Sequence, residues 1–284
     1  MERYYCFAGV EIALRIPDAF VSAGEGRLAP FAVSSVTQPF VFEFEPVDRF
    51  SPPSGVCVAH RPDLQVWARD DGCLLCHGAA DRSYLRTLRR GTHHLVQWLP
   101  SAHPGLLGSR SIMEALNAAH LVNQTGGCIL HCSYIEHQGR AILFTAPSGV
   151  GKSTQAELWR LHRGAGIVNG DRAAIRMDRG VPVAAGIPFA GSSEYCLNRT
   201  LPLAALVCLG QSPTVRLQPL RGIQAFRRVW EGCTVNIWDA EDVSLATQAV
   251  SDILRRVPVL QLDCPPDETA VTALELYLKG QVTP

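Results

Sequence analysis

Short apolar runs, separated by proline, glycine or aspartate, fill the first hundred residues of the chain. Residues 40–45 alternate apolar and polar positions, as a strand does when one face is buried and the other meets water. Runs of this length between turn-forming residues predict a mostly β N-terminal region. The predicted strands are residues 4–16, 40–44, 56–60, 64–68 and 73–77.

A helix is predicted over residues 109–124, and from residue 128 onward the pattern changes to alternating strands and helices. The predicted helices repeat their apolar positions at helical spacing, whereas the predicted strands are continuous apolar runs. The run over residues 203–209 is typical of a strand that is buried on both faces. The predicted helices are residues 109–124, 153–162, 222–231, 242–256 and 266–278. The predicted strands are residues 129–135, 141–145, 203–209 and 257–262, with a tight turn at 137–139.

This change of pattern predicts an α/β protein with two domains. At 284 residues the chain is long enough for one large domain or two modest ones, each with a core. We predict a smaller β-rich N-terminal domain over residues 1–108 and an α/β domain over residues 109–284.

Lysine is almost absent from the chain, which supplies nearly all of its positive charge as arginine. The two lysines are Lys152 and Lys279, and Lys152 lies in the segment Ala146-Pro-Ser-Gly-Val-Gly-Lys-Ser153. This segment fits the phosphate-binding loop pattern: Ala or Gly, four residues of any type, then Gly, Lys and Ser or Thr. The predicted strand before it and helix after it supply the context that the motif requires.

Each part of this loop suits the phosphates of a nucleotide. Gly149 and Gly151 let the backbone turn tightly and direct N–H groups at anionic oxygens. Lys152 supplies a compact charge for the β- and γ-phosphates, and Ser153 supplies a hydroxyl for Mg²⁺. We therefore predict binding of ATP with Mg²⁺. The predicted nucleotide-binding residues are Ala146, Pro147, Ser148, Gly149, Val150, Gly151, Lys152, Ser153 and Thr154.

The net charge and the hydropathy of the chain indicate which classes of partner and which cellular location to expect. The formal net charge is zero and the arginines are spread along the chain, so we expect no nucleic-acid partner. No stretch approaches the roughly 20 apolar residues of a membrane helix, and the N-terminus lacks the layout of a signal peptide. We expect a soluble cytoplasmic protein with no membrane partner.

The ten cysteines are expected to be free thiols, because disulfides are rare in the cytoplasm. Cys73-Leu-Leu-Cys76-His77 fits the attachment pattern of a c-type haem, and the two thiols also fit half of a zinc site. We favour a strand there because two leucines occupy the middle of the segment. Five other cysteines lie in apolar surroundings and are predicted to be buried. They are Cys128, Cys132, Cys196, Cys208 and Cys264.

Four stretches of the α/β region share a pattern with a known family. They are residues 129–133, which include His131, the loop 148–153, residues 168–171, which end at Asp171, and residues 186–206, which include Arg199. Together they resemble the HPr kinase/phosphorylase superfamily, whose nucleotide domain is similar to phosphoenolpyruvate carboxykinase. The last stretch resembles a branch found with ribosomal-peptide biosynthesis, including lasso-peptide kinases.

The resemblance covers residues 110–284 and implies a P-loop kinase domain of the HPr kinase type over residues 109–284. One departure bears on the site. HPr kinases carry paired aspartates at the end of a strand, and Gly170 stands where the first of the pair would be. Asp171 is therefore the one carboxylate that this motif retains.

The resemblance implies a role for each of three residues, and each has a simpler alternative. Asp171 would orient and deprotonate an acceptor hydroxyl or hold Mg²⁺ together with Ser153; otherwise it is a turn residue after Asn-Gly. His131 would contact the γ-phosphate or the acceptor; otherwise it is a core histidine. Arg199 would stabilise charge on the transferred group as an internal arginine finger; otherwise it forms a surface ion pair.

The sequence also suggests a role or a position for four further residues. Ser192 and Ser193 either touch substrate or form a plain turn, and Glu194 is a candidate metal ligand. Trp159, at helical spacing, is predicted to lie in the core rather than stack on a base.

These features favour an ATP-dependent kinase that phosphorylates a serine-type hydroxyl of a peptide or protein, such as a ribosomally made precursor peptide. A kinase for a small-molecule hydroxyl and a nucleotide-binding regulatory module with little turnover are the alternatives. Ring-shaped assembly in the HPr kinase family makes a homo-oligomer possible for this chain.

Overall fold

The computed structural model of the chain describes residues 2–18, 26–78, 83–101 and 110–281. The chain divides into two compact units, Met1–Leu121 and Val122–Pro284. The described residues form two nine-stranded sheets, one in each unit, and the fold is mixed α/β. The predicted domain boundary between residues 108 and 109 lies outside the described residues and stays a prediction.

The first unit is built on one mixed sheet. The order of its strands is β3-β1-β2-β4-β9-β8-β7-β6-β5, and β4 pairs in parallel with both β2 and β9. A 3-10 helix over Gly26–Phe31 precedes β3. The strands are β1 (Glu2–Phe7), β2 (Val10–Arg15), β3 (Ala32–Val33), β4 (Phe40–Pro46), β5 (Val56–Arg61), β6 (Leu64–Arg69), β7 (Gly72–His77), β8 (Leu85–Arg90) and β9 (His93–Trp98).

The predicted strands of this unit are found, but one of them is divided in two, and three strands that were not predicted, β3, β8 and β9, are added. The single strand expected over residues 4–16 is a hairpin, because Ala8 and Gly9 adopt positive φ values of 53° and 82° and reverse the chain. The hairpin of β8 and β9 was missed because the polar residues Arg89, Arg90, His93 and His94 interrupt its apolar pattern. The Cys73-to-His77 segment is a strand, as predicted, and neither of its two cysteines forms a disulfide.

The helix predicted over residues 109–124 is two helices. They are α1 (Arg110–Leu116) and α2 (Ala118–Gln124). Asn117 separates them with a φ of 45°, a left-handed conformation that asparagine tolerates better than most residues. Residue 109, the predicted start, lies outside the described residues.

The second unit alternates strands and helices, as the sequence predicts. Its elements begin with β10 (Gly127–His137), β11 (Arg140–Thr145) and α3 (Lys152–Arg163). The remainder are β12 (Gly166–Asn169), β13 (Arg172–Asp178), β14 (Val181–Ala185), β15 (Thr200–Gln211), β16 (Arg216–Leu220), α4 (Gly222–Trp230), β17 (Cys233–Thr234), α5 (Ala240–Leu254), β18 (Val259–Cys264) and α6 (Glu268–Gln281).

Two long strands join the two halves of this second sheet. The first half of β10 pairs with β13, and the second half pairs with β11. In the same way β15 pairs with β14 near its start and with β11 and β18 farther along. The pairings β10–β13–β14–β15–β11–β10 therefore close a ring of strands. The ends of β11 and β12 lie beside the middle of β10, where Thr145 pairs with Cys132 and Asn169 pairs with Tyr134, and the candidate site lies in this region.

Helices cover both faces of the central strands. Along β11, Ile142 and Phe144 pack with Trp159 of α3 and Leu274 of α6, whereas Leu143 faces the opposite cluster. That opposite cluster includes apolar residues of α4 and α5 such as Val229. The placement of Trp159 in the core, fully buried, confirms the prediction made for it. The five cysteines predicted to be buried are buried.

Candidate active site

A glycine-rich loop joins the end of β11 to the start of α3. Gly149 and Gly151 have φ values of 82° and 121°, which side chains with a Cβ rarely adopt. No atom lies within 4 Å of where a Cβ would stand at either residue. Backbone conformation, rather than crowding, therefore requires glycine at both positions. The strand, loop and helix occur where the motif requires them.

The first turn of α3 lies open to an anion. Gly151 precedes the helix and supplies no side-chain cap, and the first turn carries no acidic residue. Ser153 and Thr154 are exposed. The unpaired N–H groups and the positive end of the helix dipole favour a negative group at this end.

Lys152 is buried, with 8% of its surface exposed, at the first position of α3. Its Nζ donates hydrogen bonds to the backbone oxygens of Ala146 at 2.9 Å and Pro147 at 3.4 Å. Burial lowers the pKa of Lys152, and the carboxylate of Asp171 opposes that effect. The ammonium is thus held among oxygen acceptors at the base of the loop.

Asp171 lies between two basic side chains. Its Oδ1 is 3.3 Å from His131 Nε2, and its Oδ2 accepts a hydrogen bond from Arg172 Nε at 3.0 Å. Hydrogen bonding to His131, and then to Arg172, lowers the pKa of Asp171 against the raising effect of burial. The carboxylate therefore stays ionised well below neutral pH and acts as a hydrogen-bond acceptor.

Asn169 fixes the backbone on which Asp171 stands. Its Oδ1 accepts hydrogen bonds from the backbone N–H groups of Asp171 at 3.0 Å and Arg172 at 2.9 Å. Its Nδ2 donates to the backbone oxygens of Ile187 and Phe189, both at 3.1 Å. Because Asn169 is fully buried, one side chain ties the Asp171 turn to residues 187–189.

Gly170 has no room for a side chain. A Cβ added there would lie 2.2 Å from Ser193 Oγ and 2.7 Å from Ser193 Cβ. Gly191 is similarly close to the neighbouring carboxylate, since a Cβ there would lie 2.8 Å from Asp171 Cγ. The 191–193 turn therefore occupies the space that the side chain of a second aspartate, at residue 170, would need.

One cavity brings the loop, Asp171 and this turn together. Its volume is about 470 Å³. The ionisable side chains that line it are Lys152, Asp171, His131, Glu157 and Glu194. The other lining residues are Ser133, Ser148, Gly149, Gly151, Ser153, Thr154, Ala156, Ile167, Gly170, Ser192, Ser193 and Tyr195.

Most of the predicted site residues lie on this cavity, and a few do not. Ala146 and Pro147 contribute the carbonyl oxygens that Lys152 contacts, and Val150 lines a neighbouring cavity. Arg199 is not among the described residues that line the 470 Å³ cavity; its Nη2 forms an ion pair with Glu136 at 2.8 Å. The structure does not bring Arg199 to the loop, and its role in charge stabilisation stays a prediction.

Three residues that form hydrogen bonds with Asp171 or Gly170 were not predicted from the sequence. Arg172 directly follows Asp171, and Asn169 precedes it by two, so their proximity in sequence was the available signal. When the side-chain oxygen of an asparagine accepts hydrogen bonds from the backbone N–H groups two and three residues later, the segment forms an Asx turn, which is common for this residue type. Ser133 had no such signal; it lies in β10, and its Oγ donates to the backbone oxygen of Gly170, in the turn between β12 and β13, at 3.2 Å.

Comparisons with known proteins show a distant likeness to solved structures. No protein-family model matches the chain, and no curated protein sequence matches it. Among solved structures, the chain is similar to the Hpr(Ser) kinase/phosphatase from Coxiella burnetii, with 13% sequence identity and a TM-score of 0.31. The match covers 54% of this chain and 93% of that one. Among the described residues, no helix is long and apolar enough to span a membrane.

Proposed function

We propose that this chain is an ATP-dependent phosphotransferase that moves the γ-phosphoryl group of ATP to a serine-type hydroxyl. One observation carries the proposal: a single cavity holds the buried Lys152, the open helix end at Ser153 and the paired Asp171 and His131. A group that binds phosphates and a group that accepts a proton therefore face the same space.

The loop would hold the triphosphate through backbone N–H groups and Lys152. The ammonium exchanges its contacts with the carbonyl oxygens of Ala146 and Pro147 for contacts with phosphate oxygens, which are stronger acceptors. The end of α3 adds the favourable field of its dipole. Catalysis of phosphoryl transfer by a protein depends mainly on such positioning and on the stabilisation of charge.

Asp171 would act on the acceptor. It accepts a hydrogen bond from the acceptor hydroxyl, whose oxygen attacks the γ-phosphorus. The bond from that phosphorus to the bridging oxygen breaks, and its electron pair stays on ADP. The hydroxyl proton passes to the carboxylate and then to solvent. Because the pKa of Asp171 is low, this proton moves late, as a loose transition state allows.

Mg²⁺ fits the donor set of this cavity. It prefers oxygen ligands, and the exposed Ser153 hydroxyl and the ionised Asp171 carboxylate are both at the cavity. These two residues would hold it, directly or through water. When bound, the ion neutralises charge on the phosphates.

We assign the acceptor to a peptide or protein, in the first instance a ribosomally made precursor peptide. The support is the resemblance of residues 186–206 to the kinases of lasso-peptide pathways. The cavity's acidic side chains Glu157 and Glu194 would favour an acceptor with a basic residue near its hydroxyl.

Transfer of label from γ-labelled ATP to peptides encoded beside the gene tests this assignment. We expect Asp171→Asn to lower the rate by about a hundredfold or more while ATP still binds. Asp178→Asn is the matched control, since Asp178 pairs with Arg176 away from the cavity and should leave the rate unchanged. ATP binding without transfer to any acceptor would favour a regulatory module instead.

A further inference from the structure

A second cavity borders the same loop. Its volume is about 630 Å³, and it shares Gly149, Gly151 and Thr154 with the first cavity. Its other walls come from the loop and α3, from the ends of β15 and β18 and from the residues after them. These walls include Gln155, Cys264, Leu209 and the prolines Pro213, Pro265 and Pro266.

The two cavities differ in chemistry. Lys152, Asp171 and His131 line the first one. No aspartate, glutamate, lysine, arginine or histidine is among the described residues that line the second. Prolines and aliphatic side chains form much of its wall. This difference between the two cavities matches a ligand with two parts. Its anionic part would bind to the loop, and its uncharged, flat part would lie in the second cavity.

Gln155 is a polar side chain in this wall, and only part of its hydrogen-bonding capacity is used. It is 3% exposed, and its Nε2 donates to Cys264 Sγ at 3.4 Å. Its Oε1 is buried and has no hydrogen-bond partner among the residues that the structure describes. A buried acceptor without a donor is costly, and a ligand donor would offset that cost. The contact of Nε2 with Cys264 Sγ orients the amide, so the atom that Gln155 offers to a ligand is its oxygen.

We propose that this second cavity takes the nucleoside of ATP and that Gln155 Oε1 accepts a hydrogen bond from the 6-amino group of adenine. This inference rests on the proposed function, because the phosphates must lie on the loop for the nucleoside to lie here. Position 6 of guanine carries an oxygen, which would face the glutamine oxygen. Gln155 is thus a specificity-determining residue that selects ATP over GTP.

Calorimetric binding to the whole chain tests this, with Mg²⁺ present and four probes. They are ATP, GTP, purine riboside triphosphate, which lacks the amino group, and tripolyphosphate, which lacks the nucleoside. We expect ATP to bind about tenfold more tightly than GTP or the purine analogue, the effect of one hydrogen bond to a buried acceptor. Tripolyphosphate should bind the loop more weakly than any of the nucleotides.

Two variants sharpen the test. Gln155→Met keeps the length of the side chain but removes the acceptor, so the preference for ATP should shrink toward equal binding while tripolyphosphate binding stays the same. Gln248→Met is the matched control, because Gln248 is exposed on α5 and pairs with Asp252. The wild-type probe series stands by itself if Gln155→Met does not fold.

The outcomes separate the two proposals. Equal binding of ATP, GTP and the purine analogue to the wild type would overturn the role of Gln155, and tighter binding of GTP would do so as well. ATP binding no tighter than tripolyphosphate would overturn the nucleoside cavity but leave the phosphate loop intact. Failure of both ATP and tripolyphosphate to bind would overturn the proposed function together with this inference.

Discussion

The side chain of Ser193 occupies the space that a side chain at Gly170 would need. The added Cβ would lie 2.2 Å from Ser193 Oγ. Gly170 is therefore required by packing, and the Asn169-to-Asp171 segment carries one aspartate rather than two because the 191–193 turn fills the space beside residue 170. The two positions form a coupled pair, which a double-mutant cycle can measure.

Gly170→Ala should destabilise the protein by about 1–3 kcal/mol, since it forces a clash in a packed region. Removing the Ser193 side chain opens that space, so the double variant Gly170→Ala with Ser193→Gly should recover most of the loss. Urea unfolding of both single variants and the double variant measures this coupling. Strictly additive losses would show that the two residues do not compete for the same space.

Asn169 is predicted to act as a positioning residue for Asp171. Asn169→Ala removes two acceptor contacts to backbone N–H groups and two donor contacts to Ile187 and Phe189. We expect kcat to fall by about tenfold or more with little change in the KM for ATP, because Asp171 shifts while the loop stays in place. A rise in the KM for ATP with an unchanged kcat would contradict this role.

The His131–Asp171 contact predicts a shift in the pH profile. Hydrogen bonding to His131 lowers the pKa of Asp171, so the carboxylate stays ionised to lower pH than usual. His131→Ala should raise that pKa, and the acid limb of kcat/KM should move to higher pH. His131→Gln retains a donor and should move the limb less. An acid limb at the same pH in all three proteins would rule out the assigned coupling.

The helix that carries Lys152 is anchored by an acid-sensitive ion pair. Arg163 of α3 donates to Glu275 of α6 at 2.7 Å, and Lys279 pairs with Glu275 as well. Hydrogen bonding to Lys279 and Arg163 lowers the pKa of Glu275 to about 2. A carboxylate with a lowered pKa stabilises the fold above its unfolded pKa, and this contribution is lost as the pH falls through the folded value.

Glu275→Gln should therefore lower the free energy of unfolding at neutral pH, with the difference from wild type shrinking from about pH 4.5 toward pH 2. Urea unfolding of both proteins across that range measures the effect. Glu157→Gln is a suitable control, since Glu157 pairs with Arg160 on the exposed side of the same helix. A difference between wild type and Glu275→Gln that does not depend on pH would contradict the linkage.

Features encoded by neighbouring residues were predicted well from the sequence. The glycine-rich loop needs its residue types at fixed spacing, and α3, α4 and α5 follow from strong apolar periodicity. The β13–β14 hairpin was missed because Arg172, Arg176 and Asp178 interrupt its apolar pattern. Pairing with β10 and β15, rather than local propensity, makes these residues a strand.

Contacts between distant residues could not be derived from spacing. The pairing of β10 with β13 sets His131 opposite Arg172, and this register brings His131 to Asp171. The contact of Gln155 with Cys264 likewise joins residues far apart in the chain. Such relations depend on the order of strands in the sheet, which the apolar pattern leaves open.

The central claim is that Lys152 holds the phosphates of ATP for transfer, and the chain's other lysine provides the control. Lys152→Met removes the charge from the loop, whereas Lys279→Met removes an equal charge from an exposed site on α6. The decisive measurement is the rate of label transfer from γ-labelled ATP to the acceptor peptide by wild type and both variants. We predict that transfer is lost in Lys152→Met and retained in Lys279→Met; undiminished transfer by Lys152→Met would contradict the account.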